Sequence, residues 1–226
     1  MAEQLSFDLP ARTARARGDF FVAPSNALAV AMIDTDTAWP GGKLVLTGDA
    51  GSGKTHLAHV WAARTGAAIV AARGLTDDTV PALAAGPVAV EDVPDIAADA
   101  AAQTALFHLH NLVLANGHRL LLTGRGAARG WGLTLPDLQS RVEGAQAAQL
   151  QPPCDRLLAV LLAKLFADRQ ITPRPDVIPY LLRRMERSFA SAQDIVARID
   201  RESLSRGRAV TRDLAAALLG GDAKDA

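Results

Sequence analysis

The chain has 226 residues, 49% of them hydrophobic, with Lys+Arg and Asp+Glu balanced at 24 each. That length holds one α/β domain with a small appendage, or two small domains, and the apolar content excludes a globally disordered chain. Charge neutrality argues against a protein that grips DNA by itself, and a single cysteine, Cys154, excludes an internal disulfide and fits a reducing cytoplasm.

Residues 1–18 read as a tail that is basic in "ARTARARG". The opening "MAEQLSFDLP" is acidic at Glu3 and has neither a cationic segment nor a long apolar core, so it is not a secretory signal. No apolar run reaches the roughly 18 residues a membrane span needs, and a soluble cytoplasmic protein is expected. Within the tail, Gln4 offers an amide, Ser6 a hydroxyl, and Leu5, Phe7 and Leu9 apolar anchors on an extended strip. Such a strip is a peptide ligand for a groove, or else an edge strand docked on its own domain. From Asp19 the texture turns apolar, with a helix over 26–34 capped by Ser25 or Asn26.

"KLVLTG" (43–48) is a short apolar run ending in glycine, the mark of a buried strand. A Gly-rich loop follows, then the helix "THLAHVWAART", stopped by Gly66. Strands are expected at 67–72, at 88–93 ("VAVEDV") and at 119–124 ("RLLLTG"). A short helix with a turn is expected over 76–86, and a longer helix over 101–117 with Leu106, Leu109 and Val113 at helical spacing. "QPP" at 151–153 marks a hinge, after which the texture is all helical. Leu157, Leu158, Leu161, Leu162, Leu165 and Phe166 share one helix face; Asp176 and Thr211 are expected caps, and Gly207 the stop of a helix over 191–205. The fold class is therefore α/β: a parallel sheet flanked by helices over 19–150, a small all-helical unit over 151–220 and a short C-terminal tail over 221–226.

Gly48 and Gly53 frame four residues and are followed by Lys54 and Thr55, the G-x-x-x-x-G-K-[ST] phosphate loop, placed after a strand and before a helix. Backbone N–H groups of such a loop point at a β-phosphate, and the glycines permit the close approach. The nucleotide-binding set is Gly48, Asp49, Ala50, Gly51, Ser52, Gly53, Lys54, Thr55 and His56. Lys54 neutralises phosphate charge, and the Thr55 hydroxyl is placed to ligate Mg²⁺. Glu91 and Asp92 end "VAVEDV", where phosphoryl transfer needs carboxylates to hold the metal and align water. The alternative is a strand that ends in solvated carboxylates. Five histidines are scattered without metal-ligand spacing, and Trp39, Trp61 and Trp131 read as packing anchors.

"FFVAPSNALA", "GDAGSGKTHLAHVWA", "VAVEDV", "TALFHLHNLVLANGHRLLLTG" and "LPDLQSRVEG" occur in this order. Together they resemble the DnaA/Hda family of AAA+ proteins over about residues 19–219, most closely its shortened Hda-type members, which switch the replication initiator off. The resemblance implies an AAA+ base with a helical lid and bound ADP or ATP with Mg²⁺. It implies two partners, the DNA polymerase sliding clamp, met by Gln4, Leu5, Ser6, Phe7 and Leu9, and DnaA itself. DnaA proper continues into a helix-turn-helix domain, whereas this sequence stops at Ala226, so DNA is expected to be met only through the clamp. A homo-oligomer is possible. Arg141 in "LPDLQSRVEG" matches the family's arginine finger, which reaches a neighbour's γ-phosphate; the alternative is an ion pair with Asp137 or Glu143.

Three departures bear on activity. Glu91 stands where such strands more often carry Asp. Arg125 stands where the family has a polar or acidic sensor. Ala190 stands at the sensor-2 arginine, with Arg187 one helical turn away as a substitute. They imply weak hydrolysis by the chain itself. The rival readings are a self-hydrolysing AAA+ ATPase or helicase loader, and a non-catalytic clamp-anchoring adaptor.

Overall fold

The computed structural model describes residues 22–206 and 209–220. The proposed clamp-binding residues Gln4, Leu5, Ser6, Phe7 and Leu9 lie outside them, as does the expected helix stop at Gly207. The first helix, α1 (Ala27–Asp34), is preceded by Asn26, but the expected side-chain cap is not formed. Asn26 Oδ1 instead accepts the Ala23 N–H at 2.8 Å, which closes the turn before the helix.

The base alternates strand and helix: β1 (Lys43–Gly48), α2 (Lys54–Thr65), β2 (Ala68–Ala71), α3 (Val80–Leu83), β3 (Val88–Glu91), α4 (Ala100–Ala115), β4 (Leu120–Gly124), α5 (Pro136–Glu143) and β5 (Gln146–Leu150). The strands form one sheet in the order β2-β3-β4-β1-β5, and every pairing is parallel. Alternation along each strand splits the core in two. Val45, Val88, Val90, Leu120 and Leu122 face α4 and α5, in a cluster with Leu106, Leu109, Leu138 and Val142. Leu44, Leu46, Ala89 and Leu121 face the other way, against α1, α2 and the Trp39–Trp61 pair, whose rings stack at 5.3 Å. Both faces are thus covered, which is why the inner strands read as continuous apolar runs.

Two expectations change. The third strand stops at Glu91 rather than running to residue 93, because Asp92 takes the left-handed conformation (φ 53°). The expected helix over 76–86 contracts to the four residues of α3, with turns on either side. The fifth strand is an addition to the expected elements: in "QAAQL" only Ala148 and Leu150 are buried, too little apolar content to mark an edge strand.

After the hinge come α6 (Asp155–Asp168), α7 (Val177–Arg184), α8 (Phe189–Arg206) and α9 (Arg212–Gly220). They enclose a cluster of their own, with Leu158, Leu162 and Phe166 packed on Leu181, Ile195, Val196 and Ile199. Thr211 Oγ1 accepts the Leu214 N–H at 3.3 Å, as a cap should. Asp176 holds the N-cap position of α7 without a side-chain capping bond. No helix among the described residues is long and apolar enough to cross a membrane.

Candidate nucleotide site

The C-terminal ends of parallel strands are where such sheets bind ligands, and the Gly-rich loop leaves from the end of β1. Register sets the neighbours: Thr47 lies opposite Gly124 of β4, and Gly48 opposite Leu150 of β5. The loop has no space for side chains at two of its glycines. A Cβ on Gly48 would sit 2.6 Å from Ser52 Oγ and 2.8 Å from the Leu150 carbonyl oxygen, and one on Gly51 would sit 2.9 Å from Ser188 Cβ. The second clash comes from the helical unit, whose α8 begins directly on the loop. The Phe189 N–H donates to the Gly51 carbonyl at 2.7 Å, a main-chain bridge between base and helical unit.

Lys54 is buried, and its ammonium donates to the Gly48 and Asp49 carbonyls, each at 2.8 Å. Burial lowers its pKa; Asp92 raises it, Arg125 lowers it, and Asp49 and Glu91 raise it. The same set of charges shows what the fold assembles around the loop: two carboxylates at the end of β3 and one guanidinium after β4. Glu91 Oε1 is buried without a hydrogen-bond partner among the described residues, and so is Ser52 Oγ. Buried polar atoms are rarely left unpaired, and these two flank the phosphate cradle. A free carboxylate oxygen beside a loop of N–H donors fits a divalent cation carried in with phosphates. Thr55 sits exposed in the first turn of α2, and His56 is half-buried beside it. Among the described residues no group of three or more His, Cys, Asp or Glu side chains could hold a metal unaided, so a cation here would depend on the nucleotide for ligands. Lys54→Ala is expected to weaken adenine-nucleotide binding at least about tenfold, read by titration calorimetry, because a phosphate-facing charge-assisted bond is lost.

Several supports of this site carry no motif. The Asp92 N–H donates to Thr123 Oγ1 at 3.2 Å, which ties the turn after β3 to β4. The Trp131 indole donates to the Arg125 carbonyl at 2.9 Å and packs on Gly124, fixing the loop that carries Arg125. Gln103 is buried in α4 and bridges two segments: its Nε2 donates to the Ile96 and Ala97 carbonyls, and its Oε1 accepts the Thr134 and Leu135 N–H groups at 2.9 and 3.0 Å. A glutamine inside an apolar helical stretch is the only sequence signal for it.

Arg187 pairs with Asp155 at 2.9 Å, and both Ser188 and Ala190 lie against Gly51.

Arg141 is set apart from Glu91 and Asp92. Its carbonyl accepts from the Lys43 ammonium at 2.8 Å, and Lys43 begins the strand whose far end, Gly48, begins the phosphate loop. At ~3.3 Å per residue the Cα atoms of Lys43 and Gly48 are about 16 Å apart. The side chain lies on α4: Nε donates to Asn111 Oδ1 at 3.1 Å, Nη1 reaches the Asp137 carbonyl at 3.4 Å, and the guanidinium sits 4.8 Å over the Phe107 ring. Neither the Asp137 nor the Glu143 carboxylate takes it, and Glu143 is engaged by Gln139 at 2.8 Å.

Next to it, His110 is buried between Lys43 Nζ and Asn111 Oδ1, each 3.2 Å away. Burial chiefly, with Lys43 and Arg141, pushes its pKa down to about 4 against the pull of the Asn111 hydrogen bond. The unfolded chain therefore binds a proton, between about pH 6.5 and pH 4, that the folded chain refuses. Stability should be flat in this group above pH 7 and fall as pH drops through that window, by on the order of 1–2 kcal/mol after solvent screening. Urea unfolding at pH 7 and pH 5 should show the loss in wild type and a smaller one in His110→Gln.

Fold and loop together define the class: a parallel five-stranded base with a phosphate loop between β1 and α2, followed by a helical bundle, which is the fold of the AAA+ P-loop NTPases. Domain III of the replication initiation protein DnaA from Thermotoga maritima superposes with a TM-score of 0.80 at 18% identity, covering 95% of this chain and 98% of that one. AMPPCP-bound DnaA from Aquifex aeolicus follows at 0.67 and 18%, covering 87% of this chain and 70% of that one. A variant of RuvB from Thermotoga maritima gives 0.65 at 17% identity, covering 87% of this chain and 68% of that one. The chain has the DnaA-like AAA+ fold, and no family model matches its sequence.

Proposed function

We propose that the chain is an Hda-like regulator of replication initiation. It holds ADP or ATP with Mg²⁺ on Gly48–Thr55, with Glu91 and Asp92 beside the cation. It docks on the sliding clamp through Gln4, Leu5, Ser6, Phe7 and Leu9, and it presents Arg141 to ATP bound by DnaA. Hydrolysis there leaves an ADP-bound, inactive initiator. One observation carries the reading: the Arg141 guanidinium is held by neutral partners, Asn111, Phe107 and a main-chain oxygen, and by none of the groups around the chain's own phosphate loop, so its charge is available to another subunit's nucleotide. The fold supports nucleotide binding, since a DnaA of the same fold binds AMPPCP.

The test is ATP hydrolysis by ATP-loaded DnaA with DNA-loaded clamp, with and without the purified chain. Gln4→Ala/Leu5→Ala/Phe7→Ala is expected to lose clamp binding by at least about tenfold, since its apolar anchors are gone, and to lose stimulation with it. A wild-type chain that hydrolyses ATP rapidly by itself would favour a self-acting ATPase, for which the unpartnered Glu91 Oε1 beside the loop is the supporting observation.

A further inference from the structure

Around Arg141 the donors and acceptors permit one arrangement only. The Lys43 ammonium can only donate, and it faces both the Arg141 carbonyl and His110 Nε2. His110 Nε2 must therefore accept, which puts the ring's proton on Nδ1, 3.2 Å from Asn111 Oδ1. Arg141 Nε–H can only donate, and it meets the same oxygen at 3.1 Å. One amide oxygen thus receives two donors, and the Asn111 side chain has a single orientation. The Phe107 ring fixes the plane of the guanidinium, and Lys43 fixes the main chain of the same residue.

We propose that Asn111, oriented by His110 and Lys43, is a positioning residue that presets the Arg141 guanidinium for the phosphate of a nucleoside triphosphate held by a neighbouring AAA+ subunit. The inference rests on the reading of Arg141 given under Proposed function. Nε is taken by Asn111, while among the described residues the terminal nitrogens are held only by a long bond to a main-chain oxygen. That leaves the planar fork for phosphate, and its direction is fixed before the partner arrives. Each group that fixes it is neutral or cationic, so none of them competes with the phosphate for the fork. Asn111 is exposed, so its truncation opens no cavity in the core.

The experiment has two arms on the full chain. In ¹⁵N NMR at pH 7, wild type should show an Arg141 Nε–H slow to exchange and His110 as the Nδ1–H tautomer. Asn111→Ala should speed that exchange at least about tenfold and leave the melting temperature within a few degrees. With ATP-loaded DnaA and DNA-loaded clamp, Asn111→Ala should lower the maximal stimulated rate at least about tenfold, with the half-saturating concentration changed less than about threefold. Asn111→Asp keeps the acceptor oxygen, so it should retain the slow Nε–H, yet lose stimulation because its carboxylate neutralises the fork. Positioning is overturned if Asn111→Ala keeps the slow Nε–H or stimulates like wild type. If wild type shows both NMR signatures but does not stimulate DnaA, the proposed function falls while the positioning of Arg141 by Asn111 stands.

Discussion

Arg141→Ala should leave nucleotide binding by the chain and its clamp binding unchanged while removing at least about 99% of the stimulated hydrolysis of DnaA-bound ATP. A guanidinium delivered from a neighbour offsets charge that develops on the transferring phosphoryl group, and such groups are worth on the order of 10³–10⁵ in rate. The geometry makes the separation of effects sharp. The Arg141 side chain bonds Asn111, the Asp137 carbonyl and the Phe107 ring and none of the groups at the loop, so its removal alters nothing that Lys54 or Glu91 touches. Lysine should not rescue: Arg141→Lys keeps the charge but loses the planar fork, the Nε–H bond to Asn111 and the stacking on Phe107. Single-turnover hydrolysis of ATP preloaded on DnaA, with nucleotide and clamp affinities measured beside it, checks the result. An Arg141→Ala protein that stimulates like wild type would leave the adaptor reading in place of the activator one.

Gln103→Leu should destabilise the base markedly. It keeps the side-chain volume and removes both ends of the amide. The Ala97 carbonyl loses its side-chain donor, the Ile96 carbonyl keeps only the Asp99 N–H, and two N–H groups, Thr134 and Leu135, lose their acceptor. An unsatisfied buried group costs about 1–3 kcal/mol, and with three groups affected and water reaching the Thr134 side the expected loss is about 2–4 kcal/mol. For a chain of this size that lowers the melting temperature by about 10 °C, measurable by calorimetry. Gln103→Glu should also destabilise, because a carboxylate accepts but cannot donate to the two carbonyls. The effect reaches the proposed active surface, since Gln103 holds the segment that leads into α5 and hence Arg141.

Much of the fold is legible in the sequence because its signals are local. The strand over 43–48 matches residue for residue, and the strand before Gly124 within one, because both are buried on two faces and read as unbroken apolar runs. The phosphate loop is legible because its chemistry requires glycines and a lysine in fixed order. β5 is not, since an edge strand with two buried side chains lacks the apolar density that marks a strand. The turn at Asp92 is not legible either: its left-handed backbone is held by Thr123 across the sheet, a contact 31 residues distant in sequence. For Arg141, sequence neighbours suggest Asp137 and Glu143 as partners, yet the fold supplies Phe107 and Asn111 from another helix. Proximity along the chain is a poor guide where side chains of two separate helices converge.

The bond from the Phe189 N–H to the Gly51 carbonyl has a consequence for how such a molecule can change over generations. Both partners belong to the main chain, so every amino acid except proline preserves it at residue 189. Residue 189 opens α8, the place in a helix where proline costs least, so even that change would spare the helix while deleting the bond. The seam is thereby tolerant of side-chain drift at residue 189, while at residue 51 it admits only glycine, since a Cβ there would sit 2.9 Å from Ser188 Cβ.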